Sequence, residues 1–281
     1  MRDYTNLLAS GIRPRAALDL LSVSAGLRTR ALIQVPLAHE SLITDCTTVL
    51  GLRVEATRRL EGRKDDQTGD VLLSAIVDAS TTSDSMWTEV WVASATAERA
   101  DESELFTDPG RFLGYPSCCM EAYAGAAGVA RLYRRYLTQD DCGWPEINRL
   151  AAFFTSVLPI PDYFPCSLEC RAARNHVRPL LSFARKIMPI EAFAASWTTM
   201  KAPMVLYGDE LLLCTQFEQS GRVLNARTET TVKIRMDSSL TTGEPDRESP
   251  RMLSFVQWKE IDGIQFTGVH GTTALIPKRA R

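Results

Sequence analysis

The sequence predicts an α+β protein: a central helical, cysteine-bearing unit flanked by an N-terminal α+β segment and a C-terminal β-rich segment. Three observations predict it. Runs rich in β-branched and aromatic residues gather ahead of residue 93 and again after Lys201, and such runs suit a pleated, half-buried surface. Between residues 105 and 200 the apolar residues recur at helical spacing instead. Inside that stretch four cysteines fall in two close pairs, Cys118–Cys119 and Cys166–Cys170, each led in by a proline. The expected organisation is therefore residues 1–104 as an α+β segment, 105–200 as the helical cysteine unit and 201–281 as a β-rich segment that could form one composite domain with the first.

Residues 1–30 read as helix on the strength of the amphipathic set Ala16, Leu18, Leu20 and Leu21. Arg2, Arg13, Arg15, Arg28 and Arg30 outnumber Asp3 and Asp19 there, but Asp19 within the amphipathic pattern favours a globular helix over an organelle transit peptide. Ala31–Pro36 reads as a short strand, followed by strands over Leu52–Leu60, Asp70–Asp78 and Met86–Val92, with Gly62–Gly69 as a polar turn. Ala93–Leu105, polar and rich in Ala and Glu, is expected to be a helix leading to the first cysteine pair. Further helices are expected over Ser117–Gln139, Glu146–Leu158 and Ser167–Lys186, separated by Asp140–Pro145 and by Pro159-Ile160-Pro161. Strands return at Met204–Tyr207, Leu211–Phe217, Thr228–Met236, Ser254–Trp258 and Ile264–His270, with Thr241–Pro250 a charged loop and Pro277–Arg281 a frayed basic end.

Composition narrows the function classes. At 281 residues the chain fits one large or two modest domains, and 45% hydrophobic with 23% charged residues is ordinary for a soluble globular protein. A formal charge of -2 gives no global field for nucleic acid or anionic lipid, so neither is expected as a partner. No apolar run approaches the ~20 residues of a membrane-spanning helix. Seven cysteines without a secretion signal point to a reducing, cytoplasmic address, where clustered cysteines hold metal or do redox work.

The pairs carry the chemistry. Ser117 is expected to cap a helix whose first turn holds Cys118 and Cys119, and the four-residue spacing of Cys166 and Cys170 would put both sulfurs on one helix face. Thiolates suit zinc, copper(I) and iron–sulfur clusters. A structural zinc site commonly takes two cysteines separated by a short knuckle in each half. Cys166-x3-Cys170 fits that, whereas adjacent Cys118 and Cys119 more easily address different irons of a larger cluster. An iron–sulfur cluster of the 4Fe-4S kind is thus the first expectation and zinc the alternative. A redox dithiol comes third, and the bland reading is small buried hydrophobes.

Gly114-Tyr115-Pro116-Ser117-Cys118-Cys119 followed by Pro165-Cys166-x3-Cys170 resembles the signature of a poorly characterised prokaryotic family of unknown function. The resemblance covers about Leu113 to Cys170 and implies a cofactor site without naming a reaction.

Other candidates are weaker. His176, beyond Cys170 on the same expected helix, could donate a proton beside the cluster, although an ordinary helix histidine is the simpler reading. Arg171, Arg174 and Arg178 form a stripe that usually means a solvated face. Arg174 leans to the cysteine side and could bind an anionic substrate through its planar fork. Tyr115 and Tyr163 precede the pairs and would line the site, with packing as the default. Cys46, Cys142 and Cys214 stand alone, and His270 in Gly-Val-His-Gly reads as a turn residue. No phosphate loop, HExxH, nucleophile elbow or dinucleotide fingerprint occurs. The sequence therefore supports a cytoplasmic iron–sulfur enzyme acting on a small, anionic substrate. Its cluster would serve as Lewis acid or as sulfur or electron carrier, with an electron donor as partner in the last case. The alternative is a non-catalytic, zinc-stabilised interaction or regulatory module.

Overall fold

Asp3 starts the first helix by accepting the backbone N–H of Asn6 at 2.8 Å. This helix, α1 (Tyr4–Ala9), ends almost at once, because Gly11 adopts φ +89° and the N–H groups of Gly11 and Ile12 turn back to Leu8 and Leu7. A left-handed residue closing the last turn in this way terminates a helix. The single helix expected over residues 1–30 is therefore two, and Pro14 opens α2 (Pro14–Ser24) at the first position, where a missing N–H costs nothing. Ala17, Leu18, Leu20, Leu21 and Val23 of α2 are buried, while buried Asp19 pairs with Arg28 at 3.2 Å.

The computed structural model describes residues 3–64, 71–75, 86–125, 144–147, 163–202, 204–207, 210–220, 223–233, 251–253, 263–267 and 273–277. After α2 come β1 (Arg30–Pro36), α3 (Glu40–Val49), β2 (Leu52–Lys64), β3 (Val71–Ala75) and β4 (Met86–Ser94). They build an antiparallel sheet in the order β1-β4-β2-β3. β1 alternates as a half-buried strand should, with Ala31, Ile33 and Val35 inside. Central β4 is buried on both faces from Thr88 to Ala93. Between β2 and β4 the register passes from Val54↔Val92 to Ala56↔Trp91, so Glu55 is the extra residue of a β-bulge. The strand continues to Lys64, into the stretch expected to turn at Gly62.

Ala93–Leu105 is not the helix its composition suggests. Ala93 and Ser94 finish β4, a turn follows, and helix begins only at α4 (Glu102–Thr107), where Asp101 accepts the N–H of Ser103 at 2.8 Å. The side-chain cap decides where the helix starts, and Ala and Glu ahead of it have no such partner. α5 (Pro109–Phe112), α6 (Ser117–Gly125), α7 (Arg171–Ile187) and α8 (Ile190–Lys201) complete the helices of the described residues, with a 3-10 turn at Pro145–Ile147. Most of the expected helix over Ser117–Gln139 and nearly all of that over Glu146–Leu158 lie outside the described residues. Ala56, Trp91, Leu105 and Leu113 form a buried cluster against which Phe106, Phe112 and Tyr115 pack.

The last part of the chain is β-rich: β5 (Met204–Tyr207), β6 (Glu210–Ser220), β7 (Val223–Lys233), β8 (Arg251–Leu253), β9 (Gly263–Thr267) and β10 (Thr273–Pro277), ordered β10-β9-β7-β6-β5-β8. All neighbours are antiparallel except β7 and β9. Ser254–Trp258 and His270 lie outside the described residues. The chain divides into two compact units, with the four-stranded sheet in the first and the six-stranded sheet in the second. Among the described residues no helix is long and apolar enough to cross a membrane.

Candidate metal centre

The approach to the first pair is built by a helix stop. Asp108 caps α5, and just past the end of that helix the chain turns at Gly114, whose φ is +72°. The N–H groups of Gly114 and Tyr115 reach back to Arg111 and Gly110 at 3.2 and 2.9 Å. A β-carbon on Gly114 would come no closer than 3.9 Å to His176 Cε1. The need for glycine there is thus the left-handed dihedral and not a lack of room. The turn hands the chain to Pro116, whose carbonyl accepts the N–H groups of both Cys119 and Met120, at 2.9 and 3.1 Å. Pro116 therefore holds the cap position expected of Ser117, which is already helical. Cys118 and Cys119 fall in the first turn as anticipated.

The second pair is not on a helix. α7 starts at Arg171, and Cys166–Cys170 is a turn ahead of it. Two contacts hold the turn out of helical geometry: Cys170 N–H donates to the Ser167 carbonyl at 3.2 Å, and Trp144 N–H donates to that of Leu168 at 2.8 Å. Leu168 is fully buried and anchors the turn. Cys170 is itself the cap of α7, its carbonyl accepting Arg174 N–H at 3.0 Å and its sulfur accepting Ala173 N–H at 3.4 Å.

The two segments bring their sulfurs together. Cys118 Sγ and Cys119 Sγ are 3.9 Å apart, and the Sγ atoms of Cys118, Cys119, Cys166 and Cys170 all lie within 4.8 Å of one another. Four soft donors so close could hold a metal ion. Cys118 and Cys119 lie in the first turn of α6 and Cys170 immediately precedes α7, and a helix N-terminus favours negative charge. Burial is uneven: Cys119 and Cys170 are buried at 2% and 7% exposure, Cys166 is half-buried, and Cys118 is exposed.

The other candidates are engaged in contacts of their own. Arg174 Nε lies 2.6 Å from Glu146 Oε1, and its guanidinium sits 4.4 Å from the centre of the Trp144 ring. His176 meets Tyr115 edge-on at 6.2 Å, and Tyr115 also packs on the Trp91 cluster. Tyr163, buried, donates its hydroxyl to the Ala173 carbonyl at 3.5 Å. Arg171 and Arg178 are exposed on α7. Trp144, Glu146 and Leu168 are frame residues that sequence reasoning missed. Glu146 and Arg174 meet across 28 residues, and the sole local signal was Trp144-Pro145 closing a helix break.

Cys46 is fully buried in α3 outside the cysteine cluster; burial pushes its thiol pKa up and Asp45 adds to this. Cys214 lies in β6, at a register shift opposite Thr228. Cys142 lies outside the described residues.

No curated protein and no solved structure matches the chain. Residues 88–186, from within β4 to near the end of α7 and including all four clustered cysteines, match the family model described as a protein of unknown function, DUF483.

Proposed function

We propose that the protein is a metal-binding module in which Cys118, Cys119, Cys166 and Cys170 hold one zinc ion. The ion ties the start of α6 to the turn before α7 as a structural centre. The observation that carries this is the sulfur spacing. Zinc takes thiolates tetrahedrally at about 2.3 Å, which sets sulfurs about 3.8 Å apart around one ion. The 3.9 Å between Cys118 and Cys119 is already close to that, and the 4.8 Å limit on the whole set needs only a small contraction. A 4Fe-4S cluster seats each thiolate on a separate iron and spreads the sulfurs further than a single ion does. Adjacent cysteines, which the sequence alone made a reason to prefer a cluster, are here compatible with sharing one ion.

Four thiolates close the coordination shell and leave no position for a substrate, which supports a structural role over a Lewis-acid one. The engagement of Arg174 with Glu146 and Trp144 supports the same reading, because its Nε is occupied as part of the frame. Metal analysis of the purified protein decides. One equivalent of zinc in a colourless protein is the expected result, with four sulfur neighbours by X-ray absorption. Brown protein containing iron and acid-labile sulfide would sink the zinc reading. It would put an iron–sulfur centre in its place, the reading under which a small-molecule substrate and an electron donor become the partners to test.

A further inference from the structure

We infer that Cys118 is the reactive ligand of this centre, an acceptor for alkyl groups from small electrophiles that carry a good leaving group on a primary carbon. The inference rests on the zinc reading and deepens it. A centre of four thiolates carries net negative charge, since the sulfurs outnumber the charges of the ion. A metal-bound thiolate keeps the lone pair that makes the thiolate, and not the thiol, the nucleophile. Which sulfur reacts is then a matter of access. Cys170 is 7% exposed, and its sulfur faces the start of α7, where it accepts the Ala173 N–H. Cys119 is 2% exposed. Cys166 is half-buried. Cys118, in the first turn of α6, is the one of the four that is exposed.

The step balances without any further reagent. The Cys118 sulfur lone pair forms a bond to the primary carbon, the bond from that carbon to the leaving group breaks, and the leaving group departs with its electron pair. No proton is released, because the sulfur is already a thiolate. The product is a neutral thioether, a weaker zinc ligand, so alkylation lowers the negative charge of the centre by one and loosens its hold on the ion.

The test uses zinc-loaded, full-length protein and limiting iodoacetamide, with peptide mapping of the label and a colorimetric chelator reporting zinc release. The first equivalent of carboxamidomethyl label is expected on Cys118, and zinc release is expected to follow the labelling and not precede it. Cys118→Ser should remove this fast phase. If that variant fails to fold, the wild-type map decides alone. Label spread evenly over the four cysteines, or appearing first on Cys166, overturns the inference. Zinc content measured on the same sample separates the two ways of failing: zinc-loaded protein with unlabelled Cys118 refutes the reactive ligand only, whereas protein without zinc removes both.

Discussion

At Cys170 one side chain has two jobs that can be separated by chemistry. Its sulfur accepts the Ala173 N–H at the start of α7 and also belongs to the four-sulfur cluster. Serine caps helices well but is a poor soft-metal ligand, and alanine does neither. Cys170→Ser should therefore abolish zinc binding while leaving the zinc-free protein at least as stable as the wild type. Cys170→Ala should also lose about 1 kcal/mol of stability in that zinc-free state, the usual worth of a helix cap. Urea denaturation of the three proteins in excess chelator checks this, and equal midpoints for Ser and Ala would mean that the cap contact contributes nothing. The cap was not legible in the sequence, because four-residue spacing fits a helix face and a turn equally well. What tips Cys166–Cys170 into a turn is the Trp144 N–H on the Leu168 carbonyl, a bond between residues far apart in the chain. Cys118 and Cys119, by contrast, were readable as first-turn residues because proline cannot continue a preceding helix and suits a helix entry.

Elements were legible where the residues' own preferences and their burial agree. β1 and β4 alternate or run apolar as their places in the sheet require. α3 went unread because Ile43, Thr44, Thr47, Thr48 and Val49 are β-branched and poor helix formers. Burial of Ile43, Cys46 and Thr47 overrides that preference, and Thr44, Thr47 and Thr48 turn their hydroxyls onto the carbonyls four residues back, at 3.1, 2.7 and 3.0 Å. The bulge in β2 is equally silent in the sequence, yet it inserts Glu55 between Arg30 and Arg53, at 2.6 and 2.7 Å, with the glutamate side chain only 3% exposed. Desolvation raises the Glu55 pKa, but the hydrogen bonds and charges of both arginines outweigh it and leave the pKa below the ordinary glutamate value. A carboxylate whose folded pKa lies below its unfolded one adds stability that is present above about pH 4.3, the unfolded value, and is lost as the pH falls through the folded value. Glu55→Gln should accordingly destabilise the protein at pH 7 and show a shallower loss of stability below about pH 4.3 than the wild type. Parallel curves from thermal melts across that range would count against the pairing as the source.

For the whole molecule, composition and texture revealed an α+β chain with β-rich ends, but the convergence of the two cysteine pairs was only permitted by the sequence. It depends on where the chain between residues 119 and 166 returns, and no local pattern encodes that. A metal ion at the meeting point would close this long loop, and closing long loops removes the most freedom from the unfolded chain. An ion that binds the folded chain alone stabilises it by about 4 kcal/mol when free zinc stands a thousandfold above its dissociation constant. For a protein of this size that corresponds to a rise of roughly 10 °C in melting temperature, at ~2–4 °C per kcal/mol. Thermal melts with zinc and with a strong chelator should differ by that order, and the difference should vanish in a variant with Cys119 and Cys166 both changed to Ser. Cys46→Ser, a buried position of α3 outside the cluster, should keep the full zinc-dependent shift even if its own core packing lowers both melts. A chelator-insensitive wild type would show that the fold stands without the ion, and the four sulfurs would then have to be explained by reactivity alone.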